Sequence, residues 1–350
     1  MNQMKNIAVF FGGCSTEYGV SLQSAYAVIT AIDRKKYQPV LIGIDKVTGA
    51  WLWYQGSTEK ILDDSWQLTD DCTPVFPAMD KNIHGLYYFE NNMQNIISLD
   101  AALPILHGKN GEDGTIQGTL ALMGVPLIGC GVLSSALCMD KALAHQVAMA
   151  NGIKAARSVS LQEGFSEEEA KEAAKMLGYP LFVKPVRSGS SFGISKIAED
   201  VQLLPAISHA FRHDSTVILE EAVPGFEVGC AVMGTKELTV GEVDEIELTD
   251  GFFDYTEKYT LKSSQIHAKA RISREKSDEI KETAKKLYRL MGCSHFARVD
   301  MFLTPDGEIY FNEINTIPGF TSHSRFPNML KAVGFTFEEI IDRLLLAEDL

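Results

Sequence analysis

One segment in the last sixth of the chain, HFARVDMFLTPDGEIYFNEINTIPG at 295–319, constrains the fold more than any other. It predicts two strands, His295–Leu303 and Glu308–Asn315, joined by a turn at Thr304–Gly307. Pro-Asp-Gly between two apolar, alternating runs is strong turn chemistry, because each of the three residues favours a turn conformation. The sequence therefore predicts a β-hairpin to which the other segments must be fitted.

Polar side chains follow the two predicted strands at alternating positions. Arg298 and Asp300 share one face of the first strand, and Glu313 and Asn315 share one face of the second. If these faces point the same way, two carboxylates and an amide oxygen form the hard, all-oxygen set that Mg²⁺ or Mn²⁺ prefers. The arginine would neutralise charge on a transferred phosphoryl group. An ordinary hairpin with solvent-facing polar residues has the same spacing, so both interpretations stay open here.

Composition limits the class of protein. The chain has 350 residues, enough for two or three domains, with the 45% hydrophobic and 22% charged residues of a globular protein. No apolar run approaches the ~20 residues of a membrane helix, no signal-peptide pattern opens the sequence, and a net charge of −14 argues against nucleic-acid binding. The six cysteines form no Cys-x-x-Cys pair, which predicts neither a zinc site nor disulfides and favours the cytoplasm.

The first third predicts the strand, glycine loop and helix that open a doubly wound α/β domain. The helix is predicted from about Ser21 to Asp33, after Gly12-Gly13. The glycines do not match G-x-G-x-x-G, so NAD binding is not predicted. The predicted strands of this region are Asn6–Phe11, Tyr37–Ile44 and Leu99–Leu106.

Two residues near strand ends of this domain are candidate ligands. Glu17 lies close to the predicted helix start, where a carboxylate either serves the helix terminus or anchors a substrate ammonium group. His107 opens HGKNGEDGTIQG after a strand end, where open α/β sheets bind ligands. It either orients a small substrate carboxylate or plays a structural role.

The middle of the chain predicts a phosphate site. A helix is predicted over Leu137–Asn151, and a capping box at Ser166 starts another that ends at Gly178. Lys184 lies inside the predicted strand LFVKPV, which is unusual for a lysine unless its ammonium group meets an anion. The following RSGSSFGISK, 187–196, predicts a turn whose backbone N–H groups wrap phosphate oxygens.

Acidic residues lie at the junction of the next two predicted strands. Thr216–Glu221 ends in Glu220 and Glu221, and Phe226–Met233 contains Glu227. Carboxylates at such a junction either accept hydrogen bonds from an adenine amino group and ribose hydroxyls or are solvated edge residues.

Residues 244–264 predict a long ordered loop, because the segment is aromatic and charged without a clean period. Such loops are often lids. Lys258 and Tyr259 would then meet phosphate and a substrate hydroxyl on closure, or the loop simply packs its aromatic rings on the body. Gly319 would let backbone N–H groups approach a developing oxyanion. The predicted helices of this region are Ser273–Met291 and about Thr336–Ala347.

Taken together and in order, the motifs resemble the D-alanine–D-alanine ligase family of ATP-grasp enzymes over nearly the whole chain. They are GGCSTEYGVSLQS, HGKNGEDGTIQG, MDK, VKPVRSGSSFGIS, EKY, ARVD and NEINTIPGFTSHS. The resemblance implies an α/β, ATP-grasp fold in which a Rossmann-like, doubly wound parallel-sheet domain (1–135) precedes two α+β domains, 136–224 and 225–350, that clamp ATP. It also implies two chemical steps. The carboxylate of D-alanine takes the γ-phosphoryl group of ATP, and the amine of a second D-amino acid then attacks the acylphosphate.

The resemblance assigns roles by position. Glu17 would hold the first ammonium group within a hydrogen-bonded set with Ser190 and Tyr259, and Arg298 and Gly319 would stabilise the tetrahedral intermediate. His107 would lie by the first substrate, and Lys258 and Ser324 by the second substrate and the phosphate. The implied ATP ligands are Lys141, Lys184, Ser191, Glu220, Glu221 and Glu227, and the implied ligands of two Mg²⁺ or Mn²⁺ ions are Asp300, Glu313 and Asn315.

Two features predict D-serine as the second substrate. The lid reads Glu257-Lys258-Tyr259, similar to family members that add D-serine and unlike those that use D-lactate. Arg325 stands where D-alanine-adding members carry an apolar residue, and an arginine can donate to a serine hydroxyl. The alternative is that Arg325 pairs with a nearby acid and plays no part in selection.

The resulting hypothesis is a cytoplasmic D-alanine–D-serine ligase of vancomycin resistance that makes peptidoglycan precursors. The resemblance implies a homodimer, with D-alanine and D-serine as small-molecule partners. A housekeeping D-alanine–D-alanine ligase, another ATP-grasp carboxylate–amine ligase and a nucleotide-binding regulatory protein are the alternatives.

Overall fold

The computed structural model describes residues 4–189, 192–248 and 264–346. Its strands form three sheets that follow one another along the chain, within 5–104, 158–221 and 226–315. Helices pack on each sheet, as expected of an α/β protein. The domain ranges 1–135, 136–224 and 225–350 stay a proposal for how the chain divides.

The first sheet is parallel at one end and antiparallel at the other. Its strands are β1 (Lys5–Gly12), β2 (Tyr37–Ile44), β3 (Trp51–Tyr54), β4 (Cys72–Pro77), β5 (Gly85–Glu90), β6 (Met93–Ser98) and β7 (Ala101–Pro104), in the order β6-β5-β4-β3-β2-β1-β7. The predicted strand Tyr37–Ile44 is confirmed, and β1 pairs in parallel with both β2 and β7. The antiparallel strands β3 to β6 were missed, because short, half-exposed strands give a weak apolar pattern.

The carboxyl end of β1 is a topological switch point, because its two parallel neighbours, β2 and β7, lie on opposite sides of it. Helix α1 (Tyr18–Ala31) begins here, and the backbone N–H of Gly12 donates to Ser21 Oγ (2.9 Å). The loop at His107 follows β7 at the same edge of the sheet. This edge therefore carries both candidate ligands of the first domain. Two further helices of this region are α2 (Glu59–Leu62) and α3 (Thr115–Met123).

The second sheet is antiparallel and presents one polar face. Its strands are β8 (Ser158–Gln162), β9 (Leu181–Pro185), β10 (Ser195–Ile197) and β11 (Thr216–Glu221), in the order β10-β9-β11-β8. Helices α6 (Glu167–Leu177) and α7 (Leu203–Ala210) pack with Val183 and Leu219 in one core. Because side chains alternate, Lys184 and Glu220 lie on the opposite face. The predicted capping box is confirmed at Ser166.

The third sheet contains the predicted hairpin. Its strands are β12 (Phe226–Met233), β13 (Thr239–Val240), β14 (Asp244–Leu248), β15 (Ser264–His267), β16 (Phe296–Leu303) and β17 (Ile309–Asn315), in the order β15-β14-β12-β16-β17 with β13 paired to β12. The register pairs Asp300 with Glu313 and Arg298 with Asn315, so the four side chains share one face as predicted. Helix α8 (Arg274–Leu290) packs on this sheet.

The loop predicted over 244–264 is wrong at both ends, where β14 and β15 pair antiparallel. The acids that favoured a loop are buried in ion pairs, Asp244 with Arg325 and Glu245 with Arg271. The intervening 249–263 lie outside the described residues.

The single helix predicted over Leu137–Asn151 is wrong, because it is two helices, α4 (Val132–Met139) and α5 (Lys141–Ala150). Asp140 between them has extended backbone, and its carboxylate accepts from the N–H of Leu143 (3.0 Å). An aspartate that caps a new helix ends the apolar periodicity of the preceding one.

One hydrophobic core joins the first and third sheets. It includes Val28 and Ile29 of α1 together with Phe326 of α9 (Arg325–Lys331) and Ile340 of α10 (Phe337–Leu346). The elements that carry the candidate site are therefore packed against each other directly. Within the described parts of the chain, no helix is both long and apolar enough to cross a membrane.

Candidate active site

Glu17 lies in a cradle formed by two glycines from different parts of the chain. It is only 7% exposed, and within the described structure its side chain makes no capping bond to α1. A Cβ on Gly108 would come within 2.6 Å of Glu17 Oε2, and a Cβ on Gly189 within 2.5 Å. The absence of side chains at both glycines leaves the space that the carboxylate occupies between the His107 loop and the turn after β9.

A second acid of this region, Glu112, was missed by sequence reasoning. Its carboxyl group accepts from the backbone N–H of Gly108 (2.9 Å) and of Ile317 (3.1 Å). Burial raises the pKa of Glu112 to about 8, and the charges of Glu17 and Glu313 add to the shift. Glu112 therefore carries a proton at neutral pH. The signal that could have found it is its position between two glycines in the loop that His107 opens.

Because the folded protein holds this proton while an unfolded chain releases it at a pKa near 4.5, Glu112 makes stability fall as pH rises from about 5 to 8. The loss contributed by Glu112 is at most about 1.4 kcal/mol per pH unit. We expect Glu112→Gln to flatten this decline, measured by urea unfolding at several pH values. An exposed control, Glu163→Gln, should keep the wild-type slope. Equal slopes in Glu112→Gln and wild type would contradict the raised pKa.

His107 is buried and hydrogen-bonds to residues of both the first and the last parts of the chain. Its Nδ1 lies 2.9 Å from the carbonyl oxygen of Ile317, and its Nε2 lies 3.1 Å from Ser24 Oγ. Burial lowers the pKa of His107, so the ring is neutral, with Nδ1 donating to the carbonyl and Nε2 accepting from the hydroxyl. Both ring nitrogens therefore hydrogen-bond within the protein, as expected if His107 has a structural role. Its contact with substrate stays a prediction.

The hairpin face is a compact charged cluster centred on Asp300. Arg298 donates through Nε (2.9 Å) and Nη2 (2.7 Å) to the Asp300 carboxylate, and the Asn315 amide nitrogen donates to it at 2.9 Å. Arg325 Nη1 lies 3.4 Å away. The structure thus brings together the four residues that the strand alternation predicted to meet.

Two lysines approach this face from other elements. Lys141, the first residue of α5, lies 3.7 Å from Glu313 Oε2 and donates to the carbonyl oxygen of Ser188 (2.8 Å). Lys184 of β9 is ion-paired with Glu220 of β11. Burial alone would raise the pKa of Glu220, but the positive charges around it, led by Lys184, lower that pKa below its usual value. Both lysines are buried cations facing one cleft.

The three acids predicted beside adenine and ribose are not on one face. Glu220 pairs with Lys184 inside the cleft, whereas Glu221, its neighbour on the strand, accepts from Arg157 Nε at 2.6 Å. Glu227 accepts from Arg325 Nη1 at 2.5 Å. Adjacent strand residues point to opposite faces, so Glu220 and Glu221 cannot approach one ligand from the same side.

Arg325 is enclosed by carboxylates. It is 6% exposed and donates to both oxygens of Asp244 (2.7 and 2.8 Å), besides its contacts with Glu227 and Asp300. A Cβ on Gly229 would crowd the Arg325 guanidinium and the Asp244 carboxylate, so the glycine leaves room for this ion pair. Arg325 therefore does pair with nearby acids, as the alternative interpretation of this residue expected.

A cavity of about 270 Å³ lies beside Arg325. Its lining includes Asp244, His323, Arg325 and Asn328. Ser324 Oγ accepts from the N–H of Thr321 (3.0 Å), and a Cβ on Gly319 would come within 2.7 Å of that oxygen. The cavity itself lies between the start of α9 and the strands β14 and β15. The predicted residues Ser190, Ser191, Glu257, Lys258 and Tyr259 lie outside the described residues.

Comparison with known proteins identifies the family. The family model described as D-ala D-ala ligase N-terminus matches residues 6–130, and the model described as D-ala D-ala ligase C-terminus matches residues 147–346. The chain belongs to the D-alanine–D-alanine ligase family. The membership confirms the predicted ATP-grasp fold and makes this protein an ATP-dependent ligase of small D-amino acid substrates.

The relatives of this ligase differ in their second substrate. The crystal structure of the VanG D-Ala:D-Ser ligase from Enterococcus faecalis is 53% identical, with a TM-score of 0.91 and 99% of both chains covered. The vancomycin C-type resistance protein VanC1 of Enterococcus gallinarum is 44% identical over 99% of both chains. A D-alanine–D-alanine ligase of Caldicellulosiruptor bescii is 41% identical, covering 99% of this chain and 95% of that protein.

A metal ion would have to be held by the hairpin face. Across 4–189, 192–248 and 264–346 no group of three or more His, Cys, Asp and Glu side chains is arranged as a metal site. The donor chemistry nevertheless fits a hard divalent cation, because the carboxylates of Asp300 and Glu313 are paired across the hairpin with Asn315 on the same face.

Proposed function

We propose that this ligase joins D-alanine to D-serine through a D-alanyl phosphate, and so supplies peptidoglycan precursors that confer glycopeptide resistance. The observation that carries the second substrate is Arg325, a buried cation on the wall of the cavity between the start of α9 and the strands β14 and β15. The 53% identity to a D-Ala:D-Ser ligase supports the same substrate. Consumption of ATP and synthesis of cell-wall precursors fit a cytoplasmic protein. The family resemblance fits a homodimer.

The first step is phosphoryl transfer to D-alanine. Glu17 binds the ammonium group of D-alanine in its glycine cradle, which directs the substrate carboxylate toward the hairpin face. Lys141 and Lys184 neutralise the phosphates of ATP, and Arg298 neutralises the charge that spreads over the transferred group. Asp300, Glu313 and Asn315 hold Mg²⁺ or Mn²⁺, which supplies further charge neutralisation at the phosphates. Positioning and electrostatics account for most of the catalysis.

The second step forms the peptide bond. The amine of the second substrate, after loss of its proton, attacks the carbonyl carbon of D-alanyl phosphate, and the C–O bond to phosphate breaks. The oxyanion of the tetrahedral intermediate is stabilised by Arg298 and the backbone N–H at Gly319. Ser324 lies by the second substrate. A cavity lined by Asp244 and Arg325 favours a hydroxyl, because D-serine would add a hydrogen bond to a charged group that D-alanine cannot make.

A competition assay tests the substrate assignment. The wild-type enzyme is given ATP, Mg²⁺, D-alanine and D-serine together, and the dipeptides are separated and quantified. We expect D-alanyl-D-serine to predominate by about tenfold or more, the discrimination that one additional hydrogen bond to a charged group gives. Predominant D-alanyl-D-alanine would favour the housekeeping alternative, which the relative in C. bescii represents. Failure to form either dipeptide would contradict the ligase assignment itself.

A further inference from the structure

His145 links the two sheets of the ATP cleft, although neither the sequence motifs nor the proposed mechanism use it. It lies on α5 one turn after Lys141 and is 1% exposed. Its Nε2 is 2.8 Å from the carbonyl oxygen of Asn312, the residue before Glu313 on β17. Its ring packs edge-on against Phe311, with 5.5 Å between the ring centroids. Because a carbonyl oxygen only accepts, Nε2 carries a proton.

The other ring nitrogen faces a carboxylate. His145 Nδ1 is 3.7 Å from Glu220 Oε2, and neither atom has a hydrogen-bond partner among the described residues. Lys184 bonds the second carboxylate oxygen, Oε1. A neutral ring would turn a lone pair toward a buried anionic oxygen, whereas a doubly protonated ring turns an N–H toward it. The doubly protonated ring is therefore the form that gives the buried Glu220 oxygen a positive partner.

We propose that His145 is a positioning residue, held as an imidazolium, that acts as the second counter-ion of Glu220 and so frees Lys184 to bind an ATP phosphate. This inference rests on the proposed role of Lys184. His145 Nδ1 faces Glu220 on β11, and that carboxylate also interacts with Lys184 on β9 and with the charge of Lys141 on the helix that carries His145. Of these, Glu220 alone is directly opposite the unused nitrogen.

A second positive partner for Glu220 matters because Lys184 changes partners when ATP binds. When Lys184 turns toward a phosphate, it gives up the ion pair with Glu220, and a buried carboxylate without a counter-ion is costly. The imidazolium of His145 keeps one partner on Glu220 during this exchange. ATP affinity therefore depends on the positive charge that His145 places beside Glu220. The affinity for D-alanine, which binds at Glu17, does not depend on it.

Steady-state kinetics of His145→Gln tests the inference. Glutamine is neutral and keeps an amide donor for the Asn312 carbonyl, so the link between the sheets is retained. We expect the KM for ATP to rise roughly tenfold, the change that corresponds to losing about 1.4 kcal/mol, with kcat changed less than twofold and the KM for D-alanine unchanged. The control His209→Gln removes an exposed histidine of α7 and should match wild type. A loss of kcat with an unchanged KM for ATP would overturn the inference.

Two further measurements keep the test independent of folding. In Glu220→Gln, adding His145→Gln should change the KM for ATP less than twofold, because the shared charge is already gone. Lys184→Met separates the two proposals. If it raises the KM for ATP and His145→Gln does not, the role of His145 is wrong. If Lys184→Met leaves the KM unchanged, the role of Lys184 is wrong as well.

Discussion

Glu313→Gln is expected to lower turnover by about a thousandfold or more at saturating ATP and D-amino acids. The carboxylate of Glu313 is paired across the hairpin with Asp300, and the proposal places both on the metal. An uncharged amide of the same shape removes a metal ligand that is worth several kcal/mol of transition-state stabilisation. Because the side chain is isosteric, the fold and the melting temperature should change little. ADP release and dipeptide formation, followed over a range of Mg²⁺ concentrations, measure the effect.

Glu308→Gln is the matched control for this experiment. Glu308 lies just before β17, and its carboxylate makes an exposed ion pair with Lys154. Removing that surface charge should leave turnover within about twofold of wild type, since exposed ion pairs contribute little. A wild-type rate in Glu313→Gln would refute the assignment of Glu313 to the metal. Equal losses in both variants would point to a general effect of charge on the third sheet.

The hairpin shows how far the sequence alone can reach. Its turn chemistry and the alternation of its polar residues fix both the strands and the shared face, because each signal is local. Arg298, Asp300, Glu313 and Asn315 therefore meet as predicted. The family motifs then assign catalytic and binding roles to residues, which the spacing of polar residues alone cannot do. For Glu17, the structure adds the two glycines that surround its carboxylate.

What the sequence could not show is burial. Asp244 and Glu245 made a strand look like a loop, because nothing local reveals that arginines 26 or more residues away neutralise acids inside the protein. Glu112 and His145 were missed for a related reason. Glu112 stands out only because burial and the nearby charges of Glu17 and Glu313 raise its pKa. His145 stands out only because its ring faces Glu220. Such couplings arise from packing between sheets that are distant in sequence.

Arg325→Leu is expected to destabilise the fold as well as change the product. The arginine is the shared partner of Asp244, Glu227 and Asp300, and all of its contacts are buried or nearly so. Leucine would leave these carboxylates facing one another without their shared cation, which costs about 3–5 kcal/mol for a broken buried pair. The carboxylates would then hold protons that an unfolded chain releases. The stability deficit relative to wild type should therefore shrink as pH falls toward about 5.

Arg325→Leu/Asp244→Asn separates stability from selectivity. The second change removes one of the stranded charges, so the double variant should recover part of the lost unfolding free energy in urea titrations. Both variants should lose preference for D-serine by about tenfold or more in the ratio of kcat/KM for D-serine to that for D-alanine, since the hydroxyl has lost its donor. The readout is the ratio of dipeptides in the competition assay. If the stabilised double variant still prefers D-serine, Arg325 serves only to hold the three acids together, and the choice of second substrate is made elsewhere in the site.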